Sequence, residues 1–173
     1  MDDSIIIRTC TLHDAERIVS LGIKTFRDTF DEVNTPENMM LYLNKTFTKK
    51  KIQKEIAELG SLFFMAEQDG DAIGYARIRM SEAPKELESE RPLEIERLYA
   101  DKRYLGKRVG YLLMSECLNY AREHKFDTVW LGVWEQNARA IAFYQKWGFQ
   151  RFGEHVFMLG NDAQTDQLMM KKL

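Results

Sequence analysis

Apolar positions return along this chain with two periods, and the changes of period mark its elements. Ala15, Ile18, Val19, Gly22, Phe26 and Phe30 recur every three or four residues, the spacing of one helix face, and Thr11 with Asp14 ahead of them reads as a capping box. Thr35-Pro36 opens a second helix carrying Met39, Met40 and Leu43, and a third runs from Thr48 through Leu59 with Ile52 and Ile56 inward. Lysines 49 to 51 oppose the dipole at the start of that third helix, so they read as a solvated face.

Strand signals fill the remainder. Ile5 to Arg8 is a short apolar run; Ser61 to Gln68 and Ala72 to Met80 flank an Asp69-Gly70 hairpin turn. The glutamate-rich stretch Ser81 to Pro92 reads as a surface loop, followed by an apolar strand from Leu93 to Ala100. A Gly-containing loop then leads into a helix whose apolar residues are Leu112, Leu113, Cys117, Leu118 and Ala121, with Ser115, Glu116, Asn119, Arg122 and Glu123 on the wet side. Next come a strand at Thr128 to Val133, a helix at Ala138 to Trp147 halted by Gly148, a strand from Phe149 to Leu159 and a last one at Gln164 to Lys171. Strands outnumber helices, most are sequence neighbours, and one strand–helix–strand unit lies in the second half. The pattern predicts an α+β fold with a mixed, mostly antiparallel central sheet and helices on both faces. No repeat or linker divides residues 1–173, so a single domain is expected.

Composition narrows the classes. Hydrophobic content is 45%, charged content 30% and net charge -2, with a pI near 6.0, values that argue against a general nucleic-acid binder. No signal peptide or long apolar span is visible, so a cytoplasmic protein without membrane attachment is expected. Cys10 and Cys117 fall at a strand end and in a helix core, where buried free thiols are expected. His13, His124 and His155 share no ligand spacing, and no metal is expected.

Candidate chemistry starts at the loop. A strand running through Leu105, Gly106, Lys107 and Arg108 into a helix at Val109, Gly110 and Tyr111 aims several backbone N–H groups and a helix N-terminus at one point, which suits an anion. Lys107 and Arg108 add positive charge there. The patterns GxxxxGK[ST] and GxGxxG are both absent.

Further on, GVWEQNARAIAFYQKWGFQRFGE, Gly132 to Glu154, places an Asn before Ala-Ile-Ala-Phe-Tyr on a helix, then Trp-Gly-Phe and a return strand. This resembles the end of the acetyl-CoA-binding core in the GNAT family of N-acetyltransferases. The resemblance implies the GNAT acyl-CoA acyltransferase fold, with two parallel central strands splayed at one end, and acetyl-CoA as cosubstrate. It also implies that the loop is the family's pyrophosphate loop, whose pattern is Gln or Arg, two residues, Gly, one residue, Gly or Ala. Leu105 stands at the Gln or Arg position, Arg108 at the first Gly, and Gly110 keeps the second. An Arg at positive φ costs about 1 kcal/mol or more, so CoA binding is expected to be weakened or rearranged but not lost. By the same resemblance, backbone groups of Leu98, Tyr99 and Ala100 pair with pantetheine amides, Asn137 contacts the cofactor, and Tyr144 protonates the leaving thiolate.

Acetyl transfer to an amine needs a free lone pair, and an alkyl ammonium with a pKa of about 10.4 must first lose a proton. Alternation puts Glu94 and Glu96 on one face of their strand and Ile95 and Arg97 on the other. The resemblance selects Glu96 as the base, acting through water; Glu94 is the alternative, and ordinary pairing with Arg77 or Arg79 is open to either. FRDTFDEVNTPENMMLYL, LEIERLYA and HVFMLGNDAQTDQLMMKKL extend the likeness to PaiA-type members linked to polyamines. That implies a small cationic amine such as spermidine or spermine as acceptor, with Phe26, Asp28, Phe30, Asp31, Glu32 and Trp134 available to hold a polycation. Another small amine, a protein N-terminus, or a low-turnover acyl-CoA-binding regulatory module are the alternatives, and a homodimer is left open.

Overall fold

Local caps and a period-two burial pattern lay out the elements of the computed structural model, which describes residues 4–88 and 90–173. Ser89, inside the expected surface loop, lies outside them. In chain order the elements are β1 (Ile6–Thr9), α1 (Ala15–Phe30), α2 (Pro36–Thr46), α3 (Lys49–Ala57), β2 (Ser61–Gln68), β3 (Asp71–Arg79), β4 (Pro92–Ala100), α4 (Val109–Glu123), β5 (Thr128–Trp134), α5 (Ala138–Lys146), β6 (Gln150–Leu159) and β7 (Asp162–Lys172). The Thr35 hydroxyl caps α2 by accepting from the Asn38 amide at 3.2 Å. Ahead of α1, the Asp14 carboxylate accepts from the Thr11 amide at 2.8 Å and grips the Arg8 guanidinium at 2.7 and 2.9 Å. That one carboxylate ties the entry of α1 to β1.

Seven strands among the described residues form a sheet in the order β1-β2-β3-β4-β5-β7-β6. Every neighbouring pair is antiparallel except β4 and β5. Helices α4 and α5 cover one face, around Leu93, Ile95, Leu113, Cys117, Leu131 and Phe149. Helices α1, α2 and α3 cover the other, around Ile18, Phe26, Met39, Phe63, Met65 and Tyr75. Each aliphatic or aromatic side chain so buried contributes about 1.5–3 kcal/mol. The mixed, mostly antiparallel sheet with helices on both faces is therefore what the periodicity predicts. Among the described residues, no helix is long and apolar enough to cross a membrane.

Three details differ from the sequence pattern. The stretch between β3 and β4 is not a free surface loop: Leu87 is buried against Trp130 and Leu168, closing the lower end of the sheet. In α4 the buried stripe runs Val109, Leu113, Met114, Cys117, Leu118 and Ala121, leaving Leu112 half-buried. The third matters most. Between Arg77/Arg97 and Ile78/Ile95 the β3–β4 register slips by one, making Glu96 the extra residue of a β-bulge. Strict alternation fails there, and Arg97 does not share a face with Ile95. Ile95 packs toward α4, whereas the Arg97 guanidinium meets Glu55 of α3 at 2.8 and 3.1 Å.

The bulge sits in an ion-pair network on the α1–α3 side. Arg77, 2% exposed, reaches Glu96 at 2.5 Å, Glu58 at 2.6 Å and Glu55 at 3.4 Å. Buried guanidinium groups are tolerated only when paired, and loss of one partner leaves charge stranded in a poor solvent. Glu55→Ala is expected to destabilise the protein by about 3–5 kcal/mol. Urea unfolding would read this as a lower midpoint at unchanged slope. A loss below about 1 kcal/mol would mean that Arg97 finds water instead.

Candidate active site

β4 and β5 pair over Pro92–Thr128, Leu93–Val129 and Glu94–Trp130, and there the ladder stops. Each strand continues, β4 to Ala100 and β5 to Trp134. The two splay, and the β5-facing edge of β4 is left without a strand partner along Leu98, Tyr99 and Ala100. A cavity of about 790 Å³ fills the gap. An open strand edge inside a cavity offers N–H and C=O groups to an extended ligand carrying amides.

At one mouth of the cavity lies the loop before α4. Gly74 on β3 lets the helix seat there, because a Cβ on it would meet Val109 Cγ1 at 2.6 Å and Leu113 Cδ1 at 3.1 Å. Gly106 has φ +83° and Arg108, immediately before the helix, has φ +65°. The left-handed turn therefore exists with an arginine where glycine is the unstrained choice, at a cost of about 1–2 kcal/mol. Its guanidinium lies 4.8 Å from the Tyr111 ring centroid. Two amides of the expected anion cradle are used inside the turn: Leu105 donates to the Lys102 carbonyl and Lys107 to that of Tyr104. Backbone bonds among the described residues leave the N–H groups of Gly106, Arg108, Val109 and Gly110 unclaimed.

Most predicted site residues meet in this one cavity. Glu96, Leu98, Tyr99, Ala100, Leu105, Gly106, Arg108, Val109, Gly110, Tyr111, Asn137 and Tyr144 all line it. Lys107 does not; its ammonium is turned over the Tyr104 ring, 5.3 Å from the centroid. Asn137 Oδ1 caps α5 through the Ala140 amide at 3.1 Å, which leaves its NH₂ group for the cavity. Tyr144 is 9% exposed and packed edge-on against Phe143 and Phe149. Burial pushes its phenol well above the ordinary value, so the hydroxyl keeps its proton at any working pH.

On the opposite wall the Glu96 carboxylate is held by Arg77 at 2.5 Å, Arg79 at 3.3 Å and Arg97 at 3.7 Å. Burial alone would raise its pKa, but the fields of these three guanidinium groups overcome it and hold the carboxyl below its usual range. Glu94 is bonded to Arg79 at 2.7 Å. Both glutamates thus have the arginine partners that their strand neighbours allow. Of the residues expected to meet a polycation, Phe26, Asp28, Phe30 and Trp134 line the cavity. Asp28 is shared by Lys24 at 3.0 Å and Lys102 at 2.9 Å. Asp31 pairs with Arg27 at 3.5 Å, and it and Glu32 stand outside the cavity wall.

The sequence pattern missed a second group of lining residues: Tyr42, Phe47, Gly132, His155, Phe157 and Asp166. His155 pairs with Asp166 across β6 and β7, and Nε2 lies 3.5 Å from the Asp166 carboxylate. A countable signal was present. Leu159 and Asp162 are directly paired around the two-residue Gly160-Asn161 turn, which fixes the register back to His155 and Asp166.

Residues 25–149 match the model of the acetyltransferase (GNAT) family. The chain is 39% identical over 160 residues to an uncharacterized N-acetyltransferase of the pepI 3′ region in Lactobacillus delbrueckii subsp. lactis, covering 92% of each. It is 25% identical over 160 residues to the spermine/spermidine N(1)-acetyltransferase of Bacillus subtilis, covering 90% of this chain and 100% of that one. Among solved structures it superimposes on the PaiA N-acetyltransferase of Thermoplasma acidophilum in complex with coenzyme A, with a TM-score of 0.80 and 24% identity over 98% and 99% of the two chains. The splayed parallel pair, the left-handed turn before α4 and the matched family model agree: the chain belongs to the GNAT family of acetyltransferases.

Proposed function

We propose that the enzyme transfers the acetyl group of acetyl-CoA to a primary amine of a polyamine such as spermidine or spermine. The observation that carries this reading is the composition of the acceptor end of the cavity. Glu94, Glu96 and Asp166 stand there beside the rings of Tyr42, Trp134 and Phe157. Around them, Glu55, Glu58, Glu94 and Glu96 are interleaved with Arg77, Arg79, Arg97 and Lys51, so the network's own charges balance. A polycation has the carboxylates of Glu94, Glu96 and Asp166 and the faces of aromatic rings to meet, while Arg108 lines the same cavity at the loop before α4. The named activity of the Bacillus subtilis relative supports the same acceptor class.

The chain's own groups divide the remaining work. The unclaimed amides of Gly106, Arg108, Val109 and Gly110 and the dipole of α4 would receive the diphosphate. Leu98, Tyr99 and Ala100 would hold the pantetheine amides on the free edge of β4, with the Asn137 NH₂ group beside them. Tyr144 gives its proton to the departing thiolate; the burial that raises its pKa raises the proton affinity of a thiolate beside it as well. Glu96 remains ionised at neutral pH and can orient an amine or a water, but its three arginines make it a weak proton acceptor.

Purified enzyme should release CoA from acetyl-CoA when spermidine or spermine is supplied and not when a neutral amino acid replaces it. Binding of CoA with no turnover across a broad panel of amines would favour the regulatory-module alternative. Tyr144→Phe is expected to lower kcat by about 100-fold or more with CoA affinity nearly unchanged. A wild-type rate in that variant would remove Tyr144 as the acid.

Arg108→Gly relieves the left-handed strain and deletes a cation at the diphosphate end of the cavity. Calorimetric titration should show weaker CoA binding than wild type at low salt, with the difference closing at high salt as the charge is screened. A difference independent of salt would assign the effect to backbone shape.

A further inference from the structure

Glu96 and Glu94 are both bound to guanidinium groups, and Asp28 is bound to two lysines. Each would give up a favourable ion pair on taking a proton. His155 is differently placed. Its ring lies over Gly132 of β5, where a Cβ would stand 3.2 Å from Nε2 and 3.3 Å from Asp166 Oδ2. Only a glycine leaves that space, and only on the face shared with Trp130 and Trp134, the face on which Arg97 and Tyr99 of β4 also lie. The ring thus borders the opening between β4 and β5 on the side away from α4. Asp166 holds Nε2, the ring nitrogen nearest Gly132, and Nδ1, on the far side of Cε1, is the nitrogen left to take a proton.

We propose that His155, oriented by Asp166, is the general base that takes the proton from the amine acceptor. The proposal rests on the amine-acetylation reading above. The free ring nitrogen of His155 accepts a proton from the acceptor ammonium, directly or through one water oriented by Glu96. The released lone pair forms the N–C bond to the thioester carbonyl. When the C–S bond breaks, Tyr144 supplies a proton to the thiolate sulfur, and the second proton of the new amide nitrogen returns to the tyrosinate. His155 then discharges its proton to solvent, for which its side chain, 45% exposed, is suited. The balance is one ammonium and one thioester giving one amide, one thiol and one proton.

The charged surroundings of His155 come from several elements. Asp166 on β7 raises its pKa by direct contact, burial opposes this, and Glu94 on β4 adds to the rise. Arg79 of β3 is bonded to that Glu94. On β6 itself Glu154 is paired with Arg151 at 2.7 Å. From α2, Asn38 and Tyr42 reach the β6–β7 hairpin, and neither is charged at neutral pH. The sign follows. A raised pKa keeps the ring protonated to higher pH, so the limb of kcat/KM that reports the free base lies above the ordinary value of about 6.5.

The test compares the full-length wild type with His155→Gln and Asp166→Asn, using spermidine and acetyl-CoA. His155→Gln should lose about 100-fold in kcat/KM at neutral pH. Its rate should then climb in proportion to hydroxide toward the amine's own range, with CoA affinity unchanged. Asp166→Asn should lose less and shift the limb to lower pH, because the ring loses the carboxylate that raises it. The His155 ring titration, followed by NMR, should move the same way. A merely structural Asp166 would lower the rate and move the ring titration but leave the kcat/KM limb where it is. A wild-type pH profile in His155→Gln, with polyamine turnover intact, overturns the dyad alone. A wild type that binds CoA and acetylates no amine overturns the dyad together with the functional reading.

Discussion

The early end of the β4–β5 ladder is the constraint on which the site depends. Three residue pairs are joined, and beyond Glu94 and Trp130 the two strands carry backbone groups with no strand to take them. Buried peptide groups left in that state cost about 1–3 kcal/mol each, so an open edge inside a cavity persists only where water or a ligand serves it. The surroundings keep it open. On one side the Glu96 bulge turns the strand and is braced by arginines; on the other Tyr144 and Phe143 of α5 pack into the core beneath α4. Closing the gap would mean dismantling both.

The bracing network also keeps its charged groups ionised. Arginines alone would repel a cationic acceptor, and a lone glutamate buried at the bulge would tend to neutralise itself. Interleaving Glu55, Glu58, Glu94 and Glu96 with Arg77, Arg79 and Arg97 lets every charge persist. The consequence for chemistry is indirect. Carboxylates stabilised as ions are good electrostatic partners and poor proton acceptors, which is why the proposed mechanism gives attraction of the amine and removal of its proton to different groups.

What the sequence made legible follows from short-range physics. Helix faces, the Thr35 cap, the Asp69-Gly70 turn and the strand-to-helix loop are encoded within a few residues, and the observed elements match them closely. The GNAT likeness rested on the Asn137 to Phe149 segment, which does border the cavity. Three features escaped. The bulge at Glu96 is fixed by register against β3, so alternation along β4 misplaced Arg97. The amides of Leu105 and Lys107 were counted as free because the carbonyls of Lys102 and Tyr104 that bind them lie in an unforeseen short turn. His155 was weighed as a metal ligand and set aside. Its partner Asp166 becomes visible only when the Gly160-Asn161 turn is used to count the hairpin register, and the last strand had been started two residues late, at Gln164.

A sheet that parts in the middle can place proton donor and proton acceptor on opposite faces of one passage. Tyr144, the proposed acid, belongs to the core beneath α4, where burial holds its proton. His155, the proposed base, sits on the other face at an edge hairpin, half open to solvent, which gives it an exit for a proton. Glu96, clamped by three guanidinium groups that hold its carboxyl below the usual range, has less proton affinity. With the proposed roles, the donor thioester and the acceptor amine approach from different sides of the sheet. On that reading they meet in the gap that the short β4–β5 ladder leaves open.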